Sequence, residues 1–458
     1  MTRADERPLA LLARHGWNST AFQTVKAGCS FFFDGDDACV AYLDTGSAWV
    51  AAGAPIAAPD RIAAAVRAFV AAAEAAGRRC SFFAAERRLV DATDGLRALE
   101  IGEQPAWDPR AWPDILADHR SLREQLRRAR AKGVRTRQLS ATDLHADATR
   151  AAVRRLSKRW LATRGMAAMA FLVRLDPFAL ARHQSFFVAE RDGRLVGFAV
   201  VLPVPARRGW FIETLIRDPS APNGTGELLV DAVMRWAAAS EGEWVTLGLA
   251  PLAGEVPLPL RVARRGARPL YDFEGLRSYK AKLRPTDWQT IYLAFPARQS
   301  AVASIVDALR AFTGNGFARF AWRSFVRGPT AVLRVLALLL VPWTMLIAVA
   351  PTRHWFGAPW VKWGWVAFDV LIAAGIFRLM RRPSITLGAA LAVAVTCDAL
   401  ATATQAVLWN LPSATSGFDY AMTAVACAAP TIAAIALWGA QRRRITLGSH
   451  DAGARAPG

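Results

Sequence analysis

In the run FIETLIRD, Glu213 and Arg217 stand four residues apart in a stretch with the composition of a strand. Side chains alternate across a strand, so an even separation predicts that the two share one face. A carboxylate beside a guanidinium suits general-base chemistry next to a bound anion, with Glu213 the candidate base and Arg217 the candidate phosphate clamp. Just downstream, Asn223, Gly224, Thr225 and Gly226 form a turn into a helix that begins near Glu227. Amides at a helix start favour an anion, which makes the turn a candidate substrate site and Glu227 a third candidate catalytic residue. The same turn also reads as an ordinary helix-start loop, with Glu227 favourable in the first turn. Lys280 and Lys282, in RSYKAKLRP, are either substrate contacts or a solvated basic strand edge.

A second group of residues is basic. Between Arg120 and Arg137 lie Arg120, Arg123, Arg127, Arg128, Arg130, Lys132, Arg135 and Arg137. At 100° per residue, Arg120, Arg123, Arg127 and Arg130 gather on one helix face beside a stripe of Leu122, Leu126 and Ala129. One flank docks; the other is either a solvated charged face or a surface for nucleic-acid or lipid phosphate. The whole chain repeats the signal, with 57 Lys plus Arg against 37 Asp plus Glu and a formal net charge of +20. An anionic partner fits that excess, as does a genome-wide enrichment in Arg. Cys29, Cys39, Cys80, Cys397 and Cys427 form no C-x-x-C pair, so neither a zinc site nor a disulfide framework is suggested. Histidine numbers six, and no Ser, His and Asp set is spaced for a hydrolase.

The elements that must position these residues are legible in part. CSFFFD, ACVAYLD and SAWVAAG read as an antiparallel meander, followed by an Ala-rich helix from Ala58 to Gly77 and a strand at CSFFAA. A comparable order recurs: a helix at about 142 to 163, strands at SFFVAERDG, RLVGFAVVLPV and GWFIETLIR, a helix at GELLVDAVMRWAAAS and a strand at WVTLGL. Meander, helix, strand, twice over, predicts an α/β or α+β layer with helices packed on a sheet.

From about Ala331 the texture changes. Four apolar stretches follow, roughly 331–350, 361–378, 385–408 and 420–438, each near the length a bilayer core requires. Arg319, Arg323 and Arg327 precede the first, Arg378, Arg381 and Arg382 join the second to the third, and Arg442, Arg443 and Arg444 follow the fourth. The opposite loops carry only Arg353 and Lys362, so both termini are expected on the cytoplasmic side. Trp355, Trp360, Trp363 and Trp409 sit where an interfacial aromatic belt would lie. Asp369 and Asp398 fall inside the spans, as members of a lipid or ion path or as acids paired with polar neighbours or Arg334. The N-terminal apolar run is too short for a signal peptide or a span.

The stretch from Glu213 to Gly254, the basic LRRARAKG, the later FEGLRSYKAKLRPTDWQTIYLAF, and the early SFFFDGDDACVAYL and AAGAPIA occur in one order. Together they resemble the catalytic domain of the bacterial phosphatidylglycerol lysyltransferases over roughly residues 20–298. The resemblance implies tandem acetyltransferase-like (GNAT-type) folds: a first over 1–110, a basic connecting helix over 111–138, and a second, catalytic one over 139–298. A basic juxtamembrane linker (299–330), four transmembrane helices (331–440) and a cytoplasmic tail (441–458) would follow. It also implies an aminoacyl-tRNA donor, an anionic phospholipid acceptor, a place in the bacterial inner membrane and no cofactor, with Glu213 and Arg217 at the family's acidic and Arg positions. The family's well-known members carry a long membrane domain ahead of the catalytic one, whereas here four apolar stretches follow it. Two other readings remain open: an acyl-CoA-dependent N-acyltransferase, which would depend on the 223–226 turn, and a non-catalytic lipid-binding module.

Overall fold

Short β-rich runs separated by Asp- and Gly-containing turns pair with their neighbours before anything else can reach them, and the first half of the chain is built that way. The computed structural model describes residues 3–26, 28–162, 177–254, 273–313, 331–349, 355–381 and 384–452. Two helices, α1 (Arg3–His15) and α2 (Ala21–Lys26), precede the meander β1 (Ser30–Asp34), β2 (Ala38–Asp44) and β3 (Ala48–Ala52). Helix α3 (Ile62–Ala75) then crosses over to β4 (Arg79–Ala85), which lies parallel to β3. After α4 (Arg87–Asp91) comes β5 (Leu96–Trp107), a long strand that the sequence pattern did not reveal. Its alternation is broken by Gly102 and Pro105, and both have structural reasons. Gly102 holds a φ of 152° where a Cβ would meet the Ala250 carbonyl at 2.4 Å, and Pro105 needs no N–H where it stands opposite Trp288.

The basic segment splits. Helices α5 (Trp112–Asp118) and α6 (Arg120–Ala131) are followed by an edge strand, β6 (Arg135–Gln138), so Arg135 and Arg137 lie on the sheet and not on the expected helix. Helices α7 (Ala141–His145) and α8 (Asp147–Ala162) lead to β7 (Ser185–Arg191), β8 (Arg194–Val204) and β9 (Gly209–Arg217). Helix α9 (Thr225–Ala239) then crosses to β10 (Trp244–Thr246), parallel to β9. The short β11 (Ala250–Pro251), α10 (Phe273–Lys282), β12 (Asp287–Pro296) and α11 (Ala301–Thr313) complete this unit.

The twelve strands among the described residues belong to one sheet, in the order β1-β2-β3-β4-β12-β5-β10-β9-β8-β7-β6, with β11 beside β5. The meander, crossover helix and parallel strand therefore occur twice, and the two copies trade strands. β12, from the end of the second copy, lies between β4 and β5, while β5, from the first, reaches β10. Helices cover both faces: α5, α6 and α9 pack on one side of the second copy around Trp112, Leu122, Leu126 and Met234. The α1–α2 pair and α8 cover the other side, around Phe22 and Phe198 respectively.

The chain divides into two compact units, Met1–Ala321 and Trp322–Gly458. The second contains α12 (Ala331–Val349), α13 (Pro359–Arg381), α14 (Ile385–Gln405) and α15 (Gly417–Ala452). Three segments of it, Pro359–Leu379, Thr386–Ser413 and Gly417–Ile435, are helical, long and apolar enough to cross a membrane. The stretch expected as the first of four spans is helical as α12, with a shorter apolar part, Leu338–Val349. Large side chains such as Leu371, Leu400 and Ile435 are exposed, as a lipid-facing surface requires. Among the polar side chains, Thr344 donates to Asp369 at 3.4 Å and Thr402 to Asp398 at 3.2 Å, so both acids have hydroxyl neighbours. Arg319, Arg323, Arg327 and Arg382 lie outside the described residues, as does 314–330 of the juxtamembrane segment.

Candidate active site

The parity that predicts a shared face for Glu213 and Arg217 fails at one residue. Along β8 and β9, Val201 pairs with Ile212 but Val200 pairs with Thr214, which leaves Glu213 as the extra residue of a β-bulge. A bulge re-aims a side chain and resets the alternation beyond it. Ile212 and Leu215, three residues apart, consequently pack into the same core beneath α9, while Phe211 and Ile216 serve the opposite face. Glu213 belongs to the side covered by α2, where Gln23 Nε2 donates to its Oε1 at 3.2 Å. Arg217 belongs to the α9 side, where its Nη1 donates to Asn223 Oδ1 at 3.1 Å. The base and the clamp expected together lie on opposite faces of the sheet.

The bulge also marks where the sheet opens. β10 pairs with β9 only from Gly209 to Phe211 and ends at Thr246, whereas β9 runs on to Arg217. The chain leaving β10 turns the carbonyls of Leu247, Gly248 and Leu249 inward. Lys280 Nζ, on α10, donates to these three oxygens at 2.9, 2.8 and 2.9 Å. Lys280 is thus a buried side chain on a helix and not a solvated strand edge, and burial pushes its ammonium down to about 7. Lys282 is exposed at the end of the same helix.

Around Arg217 the turn expected as an anion site takes shape. Gly224 stands at the start of α9 with φ at 93°, and a Cβ there would meet the Gln125 carbonyl of α6 at 2.4 Å. Only glycine combines that left-handed backbone with so close an approach. Thr225 Oγ1 donates to the Pro222 carbonyl at 2.7 Å, which keeps the turn closed, and Gly226 and Glu227 begin the helix. Tyr279 of α10 packs against this cluster; burial first, then the nearby Glu227 carboxylate, holds its phenol protonated.

The basic face of α6 is mostly engaged. Arg130 Nη2 donates to Asp231 Oδ2 at 2.6 Å, and the same buried carboxylate accepts from Trp112 Nε1 at 2.9 Å and Arg235 Nε at 3.0 Å. Arg123 caps the Leu116 and Ala117 carbonyls at the end of α5. Arg127 pairs with Glu124 at 3.0 Å. Arg120 is exposed.

A polar layer on the Glu213 side of the sheet had no signal in the sequence. Arg207, in the turn PARRG, is buried between the Trp17 and Trp244 rings, 4.4 and 4.3 Å from its guanidinium carbon. It pairs with Glu86 and donates to Gln289 at 3.0 Å. Burial raises the Glu86 carboxyl and lowers the Arg207 guanidinium. Ser19 donates to Gln104 at 2.7 Å, so the α1–α2 segment supplies Trp17, Ser19 and Gln23 to one side of the sheet.

Residues 9–295 match the family described as phosphatidylglycerol lysyltransferase, C-terminal. A phosphatidylglycerol lysyltransferase of Bacillus subtilis (strain 168) is 27% identical over 156 residues, which cover 32% of this chain and 18% of that protein. The match thus spans less than a fifth of that relative's length. Among solved structures, the C-terminal domain assigned to a lysylphosphatidylglycerol synthetase of Agrobacterium fabrum superposes with a TM-score of 0.58 at 25% identity, covering 68% of this chain and 97% of that one. The structure of L-PGS from Bacillus licheniformis has the same fold, with a TM-score of 0.58 at 21% identity over 67% of this chain and 96% of its own.

Proposed function

The chain belongs to the phosphatidylglycerol lysyltransferase C-terminal family, and on that premise we propose that it moves an aminoacyl group from aminoacyl-tRNA to a hydroxyl of an anionic membrane lipid such as phosphatidylglycerol. The observation that carries the reading is the placement of Glu213: a carboxylate on a bulge, at the point where β9 and β10 part. The lipid hydroxyl attacks the ester carbonyl as its proton passes to Glu213. The bond to the ribose oxygen then breaks, and that oxygen takes the proton back. One ester replaces another, so alignment and charge placement are the main requirements. Arg217, Asn223 and the amides at the α9 start form the phosphate-holding side of the site, Glu227 is a further catalytic carboxylate beside them, and Arg120, exposed at the start of α6, meets the tRNA. Lys282 is the exposed lysine left for substrate contact.

In this reading the repeated meander and crossover helix are two GNAT-type folds, divided near 110 and 139 by the basic segment. Four helices of the second unit lie in the bacterial inner membrane, with the catalytic unit and both termini on its cytoplasmic face. Aminoacyl-tRNA is the donor substrate, and no cofactor enters the reaction.

The test is lipid extraction and thin-layer chromatography after incubating the full chain, in phosphatidylglycerol vesicles, with tRNA charged with labelled lysine or alanine. A labelled lipid that requires intact tRNA and is lost in Glu213→Gln supports the reading. Label arriving from an acyl-CoA donor instead would move the reaction to the acyltransferase class. No labelled lipid from either donor, with a folded protein, would leave a lipid-binding role.

A further inference from the structure

Helix α11 exposes an apolar stripe to the outside while burying an aspartate on its core side. Ser304 and Asp307 face inward and are buried with Ala308 and Ala311, against β3, β4 and β12. Asp307 is held there by a two-pronged contact from Arg79, at 2.7 and 2.8 Å, and by Ser47 Oγ at 2.9 Å. The outward face carries Val302, Val306 and Leu309, which are 69%, 40% and 46% exposed. At 100° per residue these three lie within about 60° of one another, a single apolar stripe along the helix. The inward face also carries Ile305, Ala308, Ala311 and Phe312, so α11 is apolar toward the core and shows a second apolar stripe to the outside.

We propose that this stripe is a membrane-docking surface that lies in the headgroup region of an anionic phospholipid bilayer. It rests on the reading that the second unit is embedded in a membrane, and adds a separate point of contact for the first. Arg310, 47% exposed, stands beside the stripe on the same helix. From Arg298 to Thr330 the sequence holds Arg298, Arg310, Arg319, Arg323 and Arg327 against Asp307 alone, a balance of five to one, and that acid is buried. Apolar side chains bordered by arginine are the composition of helices that settle in the interface of acidic bilayers. Residues 314–330 separate α11 from α12, and a chain of that length spans at most about 60 Å, so α11 stays within reach of the bilayer. Docking there holds the catalytic unit at the surface in which its acceptor lipid resides.

The experiment uses the full chain reconstituted in vesicles of phosphatidylethanolamine and phosphatidylglycerol. The photo-crosslinking residue p-benzoylphenylalanine replaces Val302, Val306 or Leu309 in turn, and adducts are identified by mass spectrometry after irradiation. Position 371 in α13 and position 192 in the β7–β8 turn are the lipid-facing and water-facing references. The expected result is phospholipid adducts at 302, 306 and 309 in yields comparable with position 371 and at least severalfold above position 192. That yield falls when phosphatidylcholine replaces the anionic lipid. Adducts only to peptides of this chain, or none, while position 371 captures lipid, would overturn the docking and leave the membrane reading standing. No lipid adduct at position 371 either would remove both.

Discussion

Replacing Asp231 by alanine separates structure from substrate binding on α6. Asp231 is 2% exposed, and its carboxylate receives the Trp112 indole, Arg130 and Arg235. The variant leaves the buried indole N–H without its acceptor, at a cost of about 1–3 kcal/mol. The two guanidinium links belong to half-exposed side chains, 52% for Arg130 and 57% for Arg235, that can turn to water. They add roughly 0.2–1 kcal/mol each after screening. The sum, about 1.4–5 kcal/mol, corresponds to a fall in melting temperature on the order of 2–7 °C for a unit of this size. Arg130→Ala removes one exposed partner and should cost no more than about 1 kcal/mol. Thermal unfolding of the detergent-purified chain, followed by tryptophan fluorescence, measures both. If Asp231→Ala unfolds no earlier than Arg130→Ala, the carboxylate is not the tie between α6 and α9, and the assignment of Arg130 to that tie fails with it.

Four further outcomes are expected. Glu213→Gln should lower transfer by roughly 10²–10⁴-fold, the usual worth of a general base, with an unchanged melting temperature; a loss under tenfold would remove Glu213 from the chemistry. Gly224→Ala should destabilise by at least about 2 kcal/mol, since a left-handed backbone and the contact with the Gln125 carbonyl both penalise a Cβ, and calorimetry would read it. Arg120→Ala should weaken tRNA binding and reduce the slope of log affinity against log salt by about 0.7, the share of one single-strand phosphate contact. For Lys280, the folded value of about 7 lies below the unfolded value of about 10.4, so between them the unfolded chain binds the extra proton and stability rises with pH. Wild-type melting temperature should therefore climb from pH 7 to 9 relative to Lys280→Met, and parallel curves would show that the three carbonyls keep the ammonium charged across that range.

Much of the local architecture is legible in the residues. The β1–β3 meander, the strands around SFFVAERDG and GWFIETLIR, and the helix after Asn223 follow from alternation, turn chemistry and a glycine at the helix start, all encoded within a few positions. The change of texture at Ala331 likewise needs only composition, because a bilayer asks for length and apolarity and little else. Family membership is legible too, since several short motifs keep their order over roughly residues 20–298, and the family match spans 9–295.

What tertiary structure decided lies wherever a residue's partner is remote in sequence. β5 and β12 carry broken alternation, and they become strands because each borrows a hydrogen-bonding edge from the other half of the sheet. The bulge at Glu213 is invisible to a rule that counts residues by twos, because it depends on the register with β8, and it sends Glu213 and Arg217 to opposite faces. Lys280 and Arg130 read in the sequence as either substrate contacts or solvated charges, and only the fold supplies the three carbonyls and the buried aspartate that they meet. Period and composition tell a side chain which face to prefer. Only the fold supplies the carbonyl, carboxylate or ring that makes burying a charge tolerable.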